Sequence, residues 1–229
     1  MSSRDAILNK LRAARRPFED AEPRPKTYLP VVPGYDESPD GLLQRFTTEL
    51  LNLKGEVFVV SGEDAARECA IERLREHNTK LIIAWDFTHI PVDGLKEAIS
   101  GAGIQVLHPD TYDEYRADIL AVAETAQVGL TSAEAAIAAT GTLIVRTAKG
   151  RGRIPTVLAP VHLVVIHRDQ ILPRLEAWMA QQRGRGFDDL AKQHANVCFI
   201  SGPSRTGDIE MELILGVHGP GRVQVIVKT

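Results

Sequence analysis

Between Val57 and Leu107 the chain repeats one pattern: a short apolar run, a turn, then a longer stretch with apolar residues at helical spacing. Val57 to Val60, Leu81 to Trp85 and Ile104 to Leu107 read as buried strands. Ser61, with Asp64 three residues on, resembles a capping arrangement for a helix to His77, and Val92 to Ser100 reads as a helix closed by Gly101. Strands joined through helices pair in parallel, with right-handed crossovers. This alternation predicts an α/β fold, a parallel sheet covered by helices in three layers.

The flanks extend the pattern. Met1 to Arg16 reads as a basic amphipathic helix, with Ile7, Leu8 and Leu11 on one side. Six prolines between Pro17 and Pro39 forbid helix and disfavour paired strand, so this stretch reads as an extended tether. From Gly41, Leu42, Leu43, Phe46, Leu50 and Leu51 recur at helical spacing. The expected organisation is a helix and proline-rich tether over residues 1–40 and one α/β domain over 41–229. Within that domain a helix is expected near Tyr112 to Leu120 and a strand around Ala126 to Leu130. Thr131 to Glu134 reads as a capping turn before a short helix, Ala135 to Ala139. Thr140-Gly141-Thr142 then turns the chain into a strand, Leu143 to Arg146. Strands at Val161 to Ile166 and Val223 to Val227, and a helix striped by Ile171, Leu172, Leu175 and Met179, complete the series.

Composition excludes several classes. Twenty-seven basic against 30 acidic residues leave a net charge of −3, which argues against a dedicated nucleic-acid binder. No apolar run approaches the roughly 18 residues a membrane span needs. Two cysteines, Cys69 and Cys198, with no CxxC, cannot ligate an iron–sulfur cluster or a thiolate zinc site, and no other metal or cofactor is expected. No cleavage pattern of a targeting peptide follows Met1 to Arg16, so the expected compartment is the cytoplasm, with both thiols reduced and buried. Homo-oligomerisation stays open.

Special residues concentrate in Asn196 to Pro220. Val197 to Ile200 reads as a buried strand and Ser201-Gly202-Pro203-Ser204 as the turn that ends it. A helix is expected next, capped by Thr206 or Asp208, running through Glu210 to Leu215 and stopped by Gly216. Free amides at that helix N-terminus, beside Ser201, Gly202, Ser204, Arg205, Thr206 and Asp208, would bind a small anion at the carboxyl end of the sheet. Arg205 adds a planar fork suited to a carboxylate or phosphate. Thr140, Gly141 and Thr142 are counted with these ligand-binding residues. Glu210, between the directions of Leu213 and Ile214, and His218, within Gly216 to Pro220, are the candidate catalytic groups. Arg146, Lys149, Arg151 and Arg153 form a basic loop around Gly150 and Gly152, either a solvated face or a flap over an anion. No Gly-x-Gly-x-x-Gly follows the early strands, which weakens a nicotinamide-binding reading, and no Gly-x-Ser-x-Gly supports a serine hydrolase.

Three segments, GLTSAEAAIAATGTLIV from Gly129, VLAPVHLVVIHRDQIL from Val157 and SGPSRTGDIEMELILGVHGP from Ser201, resemble the lactate-utilisation protein C family of LUD-domain proteins. The resemblance implies a fold like that of the CoA transferases and ribose-5-phosphate isomerases. It further implies an accessory subunit supporting oxidation of L-lactate to pyruvate in bacteria, with iron–sulfur proteins as partners. Two alternatives stand beside it: an enzyme acting on a CoA ester or sugar phosphate, and a non-catalytic docking subunit.

Overall fold

The computed structural model describes residues 3–13, 36–109, 114–185, 196–207 and 213–229. Helix α1 (Ser3–Ala13) belongs to one compact unit, Met1–Gly34. Its Ile7 is exposed. Every other element belongs to a second unit, Tyr35–Thr229.

In that unit α2 (Pro39–Asn52) starts where Ser38 accepts from the Gly41 amide and Pro39 occupies the first turn, where a missing N–H costs nothing. The order continues as β1 (Glu56–Val60), α3 (Gly62–Glu76), β2 (Leu81–Ala84), α4 (Leu95–Gly101), β3 (Gln105–Leu107), α5 (Arg116–Ala123) and β4 (Val128–Thr131). Then come β5 (Ala135–Ile137), β6 (Thr142–Thr147), α6 (Ile154–Val157), β7 (Val161–His167), β8 (Ile171–Leu172) and α7 (Leu175–Arg185). Strands β9 (Asn196–Ile200), β10 (Arg205–Gly207), β11 (Leu213–Leu215) and β12 (Arg222–Lys228) end the chain.

Six strands form the central sheet in the order β1-β12-β7-β4-β2-β3, and every pairing is parallel. The alternation of apolar runs and helices led to this arrangement, and the α/β fold is as expected. One face of the sheet buries Val128, Leu130, Leu163, Val165 and Ile226 against Ala66, Ala70 and Leu74 of α3 and Leu95 and Ile99 of α4. The other face packs Val164, Ile166, Val223, Val225 and Val227 against Phe46 and Leu50 of α2 and against Leu143 of β6. Side chains alternate across β7 and β12, so each strand feeds both cores. Both cysteines are free and half-buried rather than fully enclosed, packed against the first of these cores.

A second sheet, of order β8-β5-β6-β9, covers part of that other face. It departs from expectation in two places. Ala135 to Ala139, expected as a short helix, begins as β5, paired antiparallel with β6 and parallel with β8. The helix propensity of alanine is worth well under 1 kcal/mol per residue, and two strand partners plus complete burial of Ala135, Ala136 and Ala138 override it. Ile171 and Leu172, taken as the start of a helical stripe, form β8, and the helix begins three residues later at Leu175.

The third departure bears on function. Arg205–Gly207 and Leu213–Leu215 are not a helix but an antiparallel hairpin, with Arg205 opposite Leu215 and Thr206 opposite Ile214. The helical stripe included Ile209 and Met211, which lie outside the described residues, as do the expected short helix before Asn196 and most of the proline-rich tether. Ile214 and Leu215 are 45% and 42% exposed, so the segment expected to be largely buried presents apolar surface instead.

Candidate functional site

The residues singled out around Ser201 lie at the amino edge of the parallel sheet. Strand β9, which delivers the Ser201 to Ser204 turn, pairs among the described residues only with β6 of the second sheet. Ser204 donates its amide to the Pro220 carbonyl (2.9 Å) and accepts from the Gly216 amide (3.0 Å), while Gly221 donates to Pro160 (2.9 Å). Pro160 immediately precedes β7, and Pro220 stands two residues before β12. The expected place at the carboxyl end of the sheet is therefore corrected: β9 is not one of its strands, and among the described residues the turn is followed by strand β10 rather than by a helix.

Two turns meet here. Thr142 Oγ1 shares hydrogen bonds of 2.8 Å with Thr140 Oγ1 and with Ser201 Oγ. Gly141 and Gly202 have φ of 59° and 80°, and a Cβ on either would run into α2 or the Leu53 carbonyl at its end. The Arg205 guanidinium donates to that same Leu53 carbonyl. A cation on the last carbonyls of a helix opposes the negative end of its dipole. Arg205, Thr140, Thr142 and Ser201 thus join the two turns to each other and to the C-terminus of α2. Asp208 and Glu210 lie outside the described residues. His218 stands exposed in the turn between β11 and β12.

Replacing Arg205 with alanine is expected to lower stability by about 1 kcal/mol, the worth of a charge at a helix end. Thermal melting with and without phosphate checks this. A normal melt in the absence of the anion, with the anion response lost in Arg205→Lys, would return the turn to ligand binding.

The opposite, carboxyl edge carries a different set of groups. An open cleft of about 330 Å³ is lined by Thr88, His89, Ile90, Pro91, Ser132, His167, Asp169 and Gln170. These residues stand at or beyond the ends of β2, β4 and β7, the edge on which open α/β sheets place ligands. Sequence reasoning passed over them because single histidines and hydroxyls carry no spacing signature. The available signal was positional and held best for His167, which follows directly on the run Val161 to Ile166 read as a strand.

His167 is fixed by local geometry. It caps the 3₁₀ turn Arg168–Gln170: its Nδ1 accepts from the Asp169 amide (3.3 Å), and the Gln170 side chain accepts from its own amide (2.6 Å). Gln170 donates onward to the Ala133 carbonyl, tying β7 to the chain beyond β4. Asp169 Oδ2 lies 3.2 Å from the same Nδ1. The neutral ring therefore accepts an N–H at Nδ1, and the protonated ring donates there to a carboxylate.

The basic loop borders this cleft. Ala148 and Arg151 bond each other in a tight hairpin, and Gly150 accepts from the Asp86 amide (2.8 Å). A Cβ at Gly150 would lie 3.3 Å from His89 Nε2. Trp85 Nε1 donates to Gly152 (2.8 Å). Of the four cations expected to act together, Arg146 is instead buried in β6, ion-paired with Glu134. Burial pulls the Arg151 guanidinium below its usual pKa. Lys149 and Arg153 are exposed. Thr88 N–H and O–H bonds hold the Asp86 carboxyl below the usual carboxylate range.

His162 is fully buried in β7 with Nε2 on Thr131 Oγ1 at 2.8 Å. Burial pushes its pKa down to about 4. Among the described residues no group of three or more His, Cys, Asp or Glu is placed to hold a metal ion, and no helix is long and apolar enough to cross a membrane.

The family model of the LUD domain matches residues 43–227. The chain belongs to the LUD-domain family. It is 29% identical to Lactate utilization protein C of Macrococcus caseolyticus over 197 residues, 84% of this chain and 82% of that protein. A protein of the same name from Halalkalibacterium halodurans is 28% identical, over 67% of this chain and 65% of its own length. Another, from an Exiguobacterium species, is 38% identical over 44% of each chain. The LUD domain here also resembles the crystal structure of a DUF162-family protein from Deinococcus radiodurans, with a TM-score of 0.56 at 19% identity. That likeness covers 85% of this chain and all of the other, and bears on the fold alone. The matched span contains both the turn joint at the amino edge and the cleft at the carboxyl edge.

Proposed function

We propose that this chain serves in lactate utilisation, as a subunit that supports oxidation of L-lactate to pyruvate while iron–sulfur partner proteins carry the electrons. The observation that carries the reading is the similarity to Lactate utilization protein C over 84% of the chain. Residues 41–229 would form the working domain, and residues 1–40 an arm for a partner. The chain has two cysteines and no dinucleotide-binding glycine motif, which fits a non-redox part. Docking is supported by the apolar surface of Phe199, Ile214, Leu215 and Val217, each 42–51% exposed. An enzyme acting on a CoA ester or sugar phosphate is the second reading, and the carboxyl-edge cleft is what favours it.

Deleting the gene in its native host is expected to abolish growth on L-lactate but not on glucose, with growth restored by the intact gene. Purified alone, the chain is expected to pass no electrons from lactate to an artificial acceptor. Unimpaired growth of the deletion strain would end the lactate reading, and turnover by the isolated chain would end the accessory one.

A further inference from the structure

We infer that the free edge of β1 joins two copies of this chain across a two-fold axis, β1 pairing antiparallel with β1 of the second copy so that the two six-stranded sheets run on as one. The inference stands apart from the lactate reading and makes no use of the carboxyl-edge cleft. Strand β1 ends the sheet order and pairs, among the described residues, with β12 alone. Such an edge is a template for another strand unless it is short, charged, bulged or covered. The far edge, β3, is blunted by its length of three residues. Strand β1 has five, of which only Glu56 is charged and none is proline.

The backbone fixes which groups are free. Val60 accepts from the Thr229 amide (2.9 Å) and Thr229 accepts from the Gly62 amide (3.3 Å), so the even-numbered residues of β1 turn their N–H and C=O toward β12. Val57 and Val59 turn theirs outward, where they have no partner among the described residues.

Those free groups select the occupant. The run Val57-Phe58-Val59 reads alike in both directions, so a two-fold axis through Phe58 sets each free Val57 opposite a free Val59 of the second copy. Residues so paired exchange an N–H···O=C bond in each direction, and Phe58 meets its own image at the non-hydrogen-bonded position between them. Val59 is 50% exposed on the face that carries Val57 and α2, so the pairing also covers apolar surface. Charge agrees with the antiparallel sense. Glu56 falls opposite Val60, whereas parallel pairing in register would set Glu56 against Glu56. Carried past the strand, the same register brings the exposed Lys54 opposite Gly62 of the second copy, beside its Glu63. An isologous contact of this kind closes at two copies.

The test is sedimentation of the full chain and of two variants, Val59→Lys and Ile214→Lys, together with hydrogen exchange. The parent is expected to reach twice the 25.1 kDa of one chain, with a dissociation constant of about 10 μM or tighter. Val59→Lys alters a half-exposed side chain on a residue that does not bond to β12. It is expected to weaken the dimer about tenfold or more, with little change in melting temperature at dilutions where both proteins are monomeric. Ile214→Lys, on the β10–β11 hairpin, is expected to sediment as the parent does. The Val57 and Val59 amides are expected to exchange slowly in the dimer and quickly in the Val59→Lys monomer, while the Phe58 amide, held by β12, stays slow in both. The inference is overturned if the parent stays monomeric at about 100 μM. It is equally overturned if Val59→Lys dimerises as the parent does, if Ile214→Lys alone breaks the dimer, or if a dimer forms in which the Val57 and Val59 amides exchange quickly.

Discussion

Replacing Arg146 with alanine is expected to lower the unfolding free energy by about 3–5 kcal/mol, because it strands a carboxylate inside the second sheet. The Arg146 and Glu134 side chains are only 9% and 12% exposed. Around them Trp178 Nε1 and Gln182 Nε2 donate to Glu134 Oε1 at 3.3 and 3.1 Å, and Arg146 Nη1 donates to Gln182 at 3.4 Å. Arg185 reaches the same carboxylate oxygen at 3.6 Å, but its side chain is 57% exposed and screened. The network joins α7 to β6 and to the residue preceding β5, so its loss loosens the layer that backs the parallel sheet. Urea melts of Arg146→Ala, Glu134→Gln and the double variant form a cycle, with strong coupling expected between the two sites. A loss under 1 kcal/mol in Arg146→Ala would mean that the pair behaves as a surface ion pair. Replacing both residues by apolar ones of similar volume is expected to cost far less than removing either alone.

That network also marks where sequence reading reached and where it stopped. The parallel sheet was legible because its strands are short apolar runs separated by helices, a pattern in which local period and tertiary position agree. The second sheet was not. Ala135 to Ala139 has helical composition, and what makes β5 a strand is pairing with β6 and β8, which no local window contains. Arg146 looked like one of four loop cations because spacing says nothing about which side chain turns inward. Its partner Glu134 is twelve positions earlier, hidden in a segment read as a helix cap.

The candidate site divides in the same way. Thr140, Thr142, Ser201 and Arg205 do come together, as a shared cluster of turn residues suggested, but their bonds are largely to one another and to the end of α2. Residues that join turns to a helix end and residues that grip a ligand look alike in sequence, since both need small, polar, turn-forming types. Orientation of β9 decides the matter of place, and that orientation follows from its pairing with β6. The cleft at the other edge was foreseeable only as a position, the ends of the parallel strands. His167 could be located there from the end of its apolar run, whereas Thr88 and His89 required the 3₁₀ turn Phe87–His89 to be seen.

Stability is expected to fall by about 3 kcal/mol as pH drops from 6.5 to 4, and His162 is the cause. Nε2 bonds to Thr131 Oγ1, and Nδ1 has no hydrogen-bond partner among the described residues. In the neutral tautomer that donates from Nε2 to Thr131, Nδ1 leaves only a lone pair unmet. Protonation would put an N–H there, buried and unpaired, and burial accordingly lowers the folded-state pKa from 6.5 to about 4. The unfolded chain takes up its proton near 6.5. Above that value neither state is charged and the group is silent. Between 6.5 and 4 only the unfolded state binds the proton and gains stability, and below 4 both bind it and the loss levels off. Urea melts from pH 7.5 to 4.5, for the parent chain and His162→Gln, isolate the effect. Exposed carboxylates titrate alike in both proteins and cancel in the difference, which is expected to grow steadily below pH 6.5. A difference that stays flat over that range would mean that His162 is solvated or finds a partner for its second nitrogen in solution.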